Sequence, residues 1–315
     1  MFDLTILYLF EGDDSYELLH KELSTISHDI RVVRTPLDYS GNLNSLPIQT
    51  IENCDCLISR VFDNYDYFIK HAKNLKYIGT GHTDTSDYEL EMLNRRKITL
   101  NNVQDYCTNS VAELTFFMLL NFARKFPLLN SSPTDPSIPF NNMGNELKNK
   151  KVGIIGAGNI GERMAIMCSH FMEVDYWSRK HNEKLDAQPR VSYTALDEMY
   201  ASCDFISLHL KLTKNTKGFI GEREINLMKT GSVVLNPSKP ELIDLHYLKN
   251  TSTAPSISIW FDELHSIEDR IIFSSFPYVH LTNGYGWLTK EAQSNSNHQL
   301  LKSVKQYAKS RLLIE

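Results

Sequence analysis

The sequence predicts an α/β protein with two domains, each built on a doubly wound parallel sheet. Short apolar runs alternate with helix-like segments along most of the chain, which is typical of the strand–helix–strand units that form parallel sheets. One such run, residues 152–155, leads directly into a glycine-rich turn and then a helix-like segment. The length of 315 residues suits two domains with ample core.

The glycine-rich turn is the strongest motif in the sequence. It reads Gly156-Ala157-Gly158-Asn159-Ile160-Gly161 and fits the pattern GxGxxG in the required order of strand, turn and helix. Gly156 permits the tight turn, Gly158 lets a pyrophosphate approach the backbone, and Gly161 lets the helix pack on the strand. The free N–H groups at the helix N-terminus then bind phosphate. We therefore predict Rossmann-like domains and cofactor contacts from Gly156, Gly158, Asn159, Ile160 and Gly161.

The residues after the next predicted strand, 174–177, indicate which dinucleotide is bound. An acid at this strand end would hold the ribose 2′-hydroxyl of NAD. Ser178, Arg179 and Lys180 stand there instead, while Asp175 lies within the strand and is interpreted as structural. A hydroxyl and two cations suit a 2′-phosphate, although an ordinary charged loop is the alternative interpretation. We predict NADP as the cofactor, with NAD as the alternative.

Composition and charge restrict the class of function. The net charge is −5 and the chain has no basic run of the kind that marks nucleic-acid binding. We expect no membrane association, because the longest apolar run is too short to span a bilayer and the N-terminus lacks signal-peptide features. Five cysteines without a CxxC pair indicate reduced thiols, and packing is favoured over a metal or redox role. We expect a cytoplasmic protein with a small-molecule substrate and no metal site.

Two further segments carry expectations about function. A strand-like run ends in Gly79-Thr80-Gly81-His82, and open α/β sheets bind ligands at strand carboxyl ends, although a plain turn is the alternative. Ser110 and Glu113 fit a capping box that would begin an apolar helix reaching about residue 126. This helix is apolar around most of its circumference, so we expect it to be buried between domains or subunits.

The order of motifs resembles the D-2-hydroxyacid dehydrogenase family from about residue 75 to residue 293. The resemblance rests on Asn102-Val103, Ser110-Val111-Ala112-Glu113, residues 150–156, residues 203–210 with Thr213 and Thr216, residues 228–231, and Glu291-Ala292-Gln293. It implies a flavodoxin-like substrate or catalytic domain, residues 1–101 plus about 285–315, and a nicotinamide-dinucleotide-binding Rossmann domain, residues 102–284. The resemblance also implies a homodimer packed through the long helix.

The resemblance adds cofactor-binding residues to those of the glycine motif. His209 matches a position that this family places near the nicotinamide. Thr216 is the last residue of the same segment of the family pattern. Asn236 and Pro237 match the end of the strand that precedes the family's catalytic arginine. These four residues complete the predicted cofactor site.

The catalytic set departs from the family pattern. Reduction of a 2-keto acid needs a proton for the developing alkoxide and a cation for the carboxylate. The family's arginine position falls on Lys239, its histidine position on Gly284, and its glutamate position near Glu263 with a one-residue shift. Gly81 and His82 lie in the expected substrate loop. We predict Lys239, Glu263 and His82 as catalytic residues, and Gly81, His82 and Lys239 as substrate-binding residues.

Three interpretations of this altered set stay open. In the first, Lys239 carries the charge and donates the proton in an NAD(P)-dependent oxidoreductase. In the second, a histidine such as His82 or His280 replaces the missing donor. In the third, the protein binds the cofactor without turnover, as a sensor or a partner of another enzyme. We favour hydride transfer to or from a small carbonyl or 2-hydroxyacid-like substrate, with an unusual carbonyl or an imine as the hypothesis.

Overall fold

The computed structural model describes residues 4–9, 13–34, 46–59, 65–85, 88–126, 143–264 and 266–312. The chain divides into two compact units, which are unit 1 (Met1–Tyr106 with Lys290–Glu315) and unit 2 (Cys107–Thr289). Each unit contains a wholly parallel sheet with helices between its strands, so the predicted fold class is confirmed. A search of the described ranges finds no helix that is both long and apolar enough to cross a membrane.

Unit 1 contains a five-stranded sheet in the order β2-β1-β3-β4-β5, which is the flavodoxin-like order. Two of its strands, β3 and β4, are buried along their whole length, as expected for the centre of a parallel sheet. The elements are β1 (Leu4–Leu9), α1 (Asp13–Ser24), β2 (Ile30–Arg34), α2 (Ile48–Glu52), β3 (Cys56–Ser59), α3 (Tyr65–His71), β4 (Tyr77–Thr80), α4 (Leu90–Arg95) and β5 (Thr99–Asn102).

Unit 2 contains a seven-stranded sheet in the order β8-β7-β6-β9-β10-β11-β12, in which β6 is an inner strand between β7 and β9. Its strands and helices alternate, so all crossovers lie on the two faces of the sheet. The elements are α5 (Thr108–Arg124), β6 (Lys151–Ile155), α6 (Asn159–Ser169), β7 (Glu173–Trp177), α7 (Glu183–Asp186), β8 (Val191–Tyr193), α8 (Leu196–Ser202), β9 (Phe205–Leu208), α9 (Glu222–Leu227), β10 (Val233–Asn236), a 3₁₀ helix (Pro240–Leu242), α10 (Leu245–Asn250), β11 (Ser258–Phe261), α11 (Ile267–Ser274) and β12 (Val279–Leu281).

The last described helix, α12 (Lys290–Leu312), belongs to unit 1. Its buried residues recur every four positions and form one face of the helix, namely Ala292, Ser296, Leu300, Val304 and Ala308. The Tyr307 ring stacks on Tyr77 of β4 with 4.5 Å between ring centroids. The Tyr77 hydroxyl is also hydrogen-bonded to Ser303 at 2.8 Å. This apolar stripe therefore fixes α12 on the sheet of unit 1.

Strand β6 packs against a hydrophobic cluster on each face of its sheet. Val152 and Ile154 point to one cluster and Ile155 to the other, as alternation along a strand requires. Gly153 faces α8 so closely that a Cβ there would lie 2.5 Å from Cγ of Met199. The strand that leads into the glycine turn is thus held rigidly from both sides.

Helix α5 begins differently from the expectation. It begins at Thr108, so Ser110 is its third residue, and the Ser110 hydroxyl donates to the Cys107 carbonyl at 3.0 Å. The predicted capping box at Ser110 is therefore wrong. The helix buries one face within unit 2, but it leaves Phe117 56% exposed, so one chain alone does not bury its whole circumference.

Candidate active site

The glycine turn after β6 has no room for side chains at two of its positions. Gly156 has φ of +102°, and a Cβ there would lie 2.4 Å from the His209 carbonyl oxygen. A Cβ at Gly161 would lie 1.9 Å from the Gly156 carbonyl oxygen. Gly156 requires glycine because its φ is positive and the His209 carbonyl lies against it, and Gly161 requires glycine because α6 packs directly on the turn.

The third glycine faces open space at the start of α6. No heavy atom lies within 4 Å of the place where a Cβ of Gly158 would stand. Gly158 is the N-cap residue of α6 and provides no side-chain cap for the backbone N–H groups of the first turn. Open space and uncapped donors together fit the pyrophosphate of a dinucleotide.

An acid in the first turn of α6 is held away from this opening. The Glu162 carboxylate accepts hydrogen bonds from Asn182 at 2.9 Å and from Lys184 at 3.1 Å. The Asn182 hydrogen bond is the main reason that the pKa of Glu162 lies below its usual value. Asn182 also donates to the Ala157 carbonyl at 3.2 Å. Sequence reasoning missed Asn182, whose only signal is its position as N-cap of α7.

The loop after β7 presents two cations to solvent. Arg179 and Lys180 are both exposed, and the loop is folded back by a hydrogen bond from the Ser178 hydroxyl to the Lys180 carbonyl. Asp175 is buried within β7 and its carboxylate pairs with Lys151 at 3.2 Å. Asp175 is thus occupied inside the sheet and does not reach the strand end, as the sequence predicts.

His209 follows β9 directly behind the glycine turn. Its backbone N–H donates to the Ile155 carbonyl at 2.7 Å, and its Nε2 is hydrogen-bonded to Ser207 at 2.8 Å. Burial lowers the pKa of His209 to about 3, so the imidazole is neutral at neutral pH. Its buried Nδ1 has no hydrogen-bond partner among the described residues. The neutral imidazole of His209 does not serve as a general acid.

Asn236 organises the loop that carries Lys239. Its side chain donates to the Lys239 carbonyl at 3.1 Å and accepts from the Ser238 N–H at 3.0 Å. Lys239 is half-buried and immediately precedes the 3₁₀ helix that begins at Pro240. Pro237 lies in the same loop, so these four residues form one tight turn at the end of β10. Thr216 lies elsewhere, with its hydroxyl bonded to the Lys211 carbonyl at 2.6 Å.

Asp262 fixes the loop that follows β12. Its carboxylate accepts hydrogen bonds from the Thr282 hydroxyl at 2.8 Å, the Tyr285 N–H at 3.0 Å and the Gly286 N–H at 2.9 Å. Burial raises the pKa of Asp262, and these three hydrogen bonds oppose the rise. Its carbonyl also accepts from the Gly284 N–H at 2.7 Å. Sequence reasoning did not find this role, because it joins residues twenty or more positions apart.

The same loop brings Gly284 against Glu263. Gly284 has φ of +73°, and a Cβ there would lie 3.3 Å from Cδ of Glu263 and 3.4 Å from each carboxylate oxygen. Arg270 of α11 donates to the Asn283 side chain and thereby holds the neighbouring residue. The position predicted for the missing histidine and the predicted glutamate are therefore adjacent.

The predicted histidine donors lie in other surroundings. His280 is part of β12, and its ring packs edge-on against Phe122 of α5 with 4.8 Å between centroids. Burial lowers its pKa. Gly81 and His82 belong to unit 1 and follow β4, where the Gly81 N–H donates to the Ser59 carbonyl at 2.9 Å. The roles assigned to Gly81 and His82 stay predictions.

Apart from Thr216, the residues of unit 2 predicted to bind the cofactor or to act in catalysis lie at one edge of its sheet. They follow the carboxyl ends of five strands, namely the glycine turn after β6, Ser178 to Lys180 after β7, His209 after β9, Asn236 to Lys239 at the end of β10, and Glu263 after β11. Ligands of open α/β sheets bind at this edge. The arrangement defines a dinucleotide-binding domain with candidate catalytic groups beside it.

Part of the chain resembles a known protein family. Residues 116–260 match the family model described as D-isomer specific 2-hydroxyacid dehydrogenase, NAD binding domain. A glyoxylate reductase of Thermococcus litoralis is 29% identical over 211 residues, which are 64% of this chain and 64% of the reductase. The match therefore spans less than two thirds of that relative's length.

Solved structures share the fold at low sequence identity. A D-lactate dehydrogenase of Aquifex aeolicus in complex with NAD and lactic acid has a TM-score of 0.84 and 21% identity, and the match covers 98% of this chain and 96% of that one. An acyclic imino acid reductase in complex with NADPH and D-Arg has a TM-score of 0.80 and 22% identity, with 98% of both chains covered. Residues 116–260, which lie in unit 2, are thus similar to the NAD-binding domain of D-isomer specific 2-hydroxyacid dehydrogenases.

The neutral His209 predicts a dependence of stability on pH. Its pKa is about 3 in the folded protein and about 6.5 without burial, so the unfolded chain binds more protons below pH 6.5 and stability falls as the pH drops from 6.5 towards 3. The variant His209→Gln lacks this contribution. The unfolding free energy is measured by urea denaturation. From pH 7 to pH 5 the unfolding free energy of the wild type should fall by up to about 2 kcal/mol more than that of the variant. A difference that stays constant over this range would contradict the burial of a neutral imidazole.

Proposed function

We propose that the protein is an NADPH-dependent oxidoreductase that reduces a small 2-oxo acid or a related imine at an atypical active site. The observation that carries the proposal is the uncapped glycine turn of α6 together with the exposed pair Arg179 and Lys180 at the end of β7. Similarity of residues 116–260 to the NAD-binding domain of a dehydrogenase family supports hydride transfer as the reaction class. When bound, the reduced nicotinamide supplies the hydride.

The cofactor preference is argued from charge. Asp175 is paired inside the sheet, so no carboxylate at the strand end competes with a 2′-phosphate. Arg179 and Lys180 are exposed at that end, and an arginine binds phosphate oxygens through two parallel N–H donors. These features support NADP over NAD. The solved imino acid reductase with the same fold is likewise described in complex with NADPH.

Lys239 is proposed as the cation that binds the substrate carboxylate. It stands at the end of β10, held there by Asn236, and it replaces the arginine of the family pattern. A lysine keeps the positive charge but loses the planar two-pronged geometry of arginine. For a carbonyl substrate it is also the proposed proton donor, with Glu263 beside it at the end of the neighbouring strand β11. The catalytic role of His82 stays a prediction.

A second candidate function is cofactor binding without turnover, as a sensor or a partner of another enzyme. The glycine at position 284 favours it, since the imidazole that protonates a substrate oxygen in the family pattern is missing. Both candidates require dinucleotide binding. They differ only in whether bound NADPH is oxidised in the presence of a substrate.

The substitution Arg179→Ala tests the cofactor preference. Loss of a charge-assisted contact to the 2′-phosphate should weaken NADPH binding about 10- to 100-fold and leave NADH binding within about threefold. Titrations followed by nicotinamide fluorescence measure both. The control Lys148→Ala removes an exposed cation before β6 and should change neither. Equal affinity for both cofactors in the wild type, unaltered by the substitution, would remove the NADP proposal.

The substitution Lys239→Met tests the catalytic proposal. Removing the cation should lower kcat/KM for the best substrate of a panel of 2-keto acids, aldehydes and imines by about 30-fold or more. NADPH binding should stay within about threefold. Lys239→Arg keeps the charge but does not give up a proton at neutral pH, so it should restore most of the activity where Lys239 only binds the substrate carboxylate, and not where Lys239 donates the proton. Lys148→Met serves as the control. Turnover that is unchanged in Lys239→Met would dismiss the role of this side chain, and NADPH binding without oxidation across the panel would favour the non-catalytic candidate.

A homodimer packed through α5 is proposed as the assembly. Phe117 is 56% exposed on this helix, and Phe171 near the end of α6 is 54% exposed. Phe117→Asp should place a charge in the interface and convert the dimer to a monomer in sedimentation velocity. The control Ile267→Asp changes a 75% exposed apolar residue on α11 and should leave the dimer intact. A monomeric wild type at micromolar concentration would contradict the proposal.

A further inference from the structure

The end of the sheet near β11 and β12 places a carboxylate where a proton donor is missing. Both oxygens of Glu263 lie 3.4 Å from the point where a side chain of residue 284 would begin. Gly284 has no side chain, so residue 284 supplies no proton donor beside the Glu263 carboxylate. Asp262 is fully engaged with the loop backbone and keeps the two residues in register.

We propose that the substrate is the protonated imine of a small 2-oxo acid, with Glu263 as the counter-ion of its positive nitrogen and Lys239 as the partner of its carboxylate. The inference rests on the proposed reductase function and names the substrate class of that site. It assigns Glu263 a direct contact with the substrate.

A carbonyl substrate is poorly matched to this arrangement. Hydride addition to a C=O carbon moves the π electron pair onto oxygen, and the resulting alkoxide needs a proton and a hydrogen-bond donor. A glutamate carboxylate at neutral pH only accepts hydrogen bonds. Placed beside the growing negative charge on oxygen, Glu263 would raise the barrier to reduction.

A protonated imine reverses both objections. Hydride forms the new C–H bond at the imine carbon, the C=N π pair moves onto nitrogen, and the nitrogen keeps the proton that it already carries. The nicotinamide loses the hydride with two electrons and is oxidised, and the product is a neutral amine that takes its next proton from water. No enzyme acid is needed, and a carboxylate near the nitrogen favours the protonated form of the substrate.

The strand register places the two charges on the same edge of the sheet. Asn236 at the end of β10 is paired with Phe261 at the end of β11. Lys239 stands three residues beyond the first of these, and Glu263 stands two residues beyond the second. A positive and a negative group on neighbouring strand ends complement a substrate that carries a carboxylate and a cationic nitrogen.

The first experiment compares substrates. The full-length protein with NADPH is given pyruvate, glyoxylate or phenylpyruvate, each alone and each with ammonia or methylamine, and NADPH oxidation and products are followed by absorbance and mass spectrometry. We expect oxidation at least tenfold faster with the amine and an amino or N-methylamino acid as product. Equal rates without amine, with a hydroxy acid as product, would overturn the inference and leave the proposed reductase function standing. NADPH binding without oxidation under any condition would overturn both.

The second experiment measures binding without turnover. Calorimetric titration of the NADP⁺-saturated protein should show N-methylalanine binding at least tenfold more tightly than lactate, because only the former carries a cationic nitrogen. Glu263→Gln should abolish this difference while leaving NADP⁺ affinity and the melting temperature unchanged. The control Glu268→Gln alters an exposed acid on α11 and should preserve the difference. A preference for N-methylalanine that survives in Glu263→Gln would contradict the role of this carboxylate.

Discussion

The cofactor half of this protein depends on one close approach between α6 and the turn that precedes it. The Gly156 carbonyl oxygen lies where a side chain of residue 161 would begin, and the His209 carbonyl closes on Gly156 from the neighbouring strand. Because three backbone segments meet without intervening side chains, the N-terminus of α6 is brought to the edge of the sheet. A larger residue at either glycine would move the helix, and with it every N–H group offered to phosphate.

The opposite side of the site is held by a different physical device. On this side a carboxylate holds the loop in place. The Asp262 carboxylate accepts hydrogen bonds from two successive backbone N–H groups of the loop after β12. A carboxylate enclosed by backbone donors fixes a loop without adding bulk to it. The position of Glu263 relative to Gly284 follows from this arrangement, so the unusual chemistry proposed for the site has its basis in a structural aspartate.

The sequence was sufficient for features that depend on local pattern, and insufficient for those that depend on distant pairing. Buried strands produce apolar runs, so the fold class was predictable. The glycine turn produces a spaced motif, and its binding of phosphate stays a prediction. The hydrogen bonds of Asn182 to Glu162 and of Asp262 to Gly286 join residues 20 and 24 positions apart, and no window of sequence reveals them. The pattern at Ser110 fitted a cap, but the helix had already begun at Thr108.

The position of helix α12 in the sequence determines which unit is fully synthesised first. The chain leaves unit 1 after Tyr106, forms unit 2 without interruption, and returns to unit 1 at Lys290. During synthesis, unit 2 has all its strands available while the stripe of α12 that covers unit 1 is still being translated. Unit 1 therefore lacks Leu300 and Val304, which complete its packing, until after all residues of unit 2 have been synthesised. Unit 2 can fold during synthesis before unit 1 is complete.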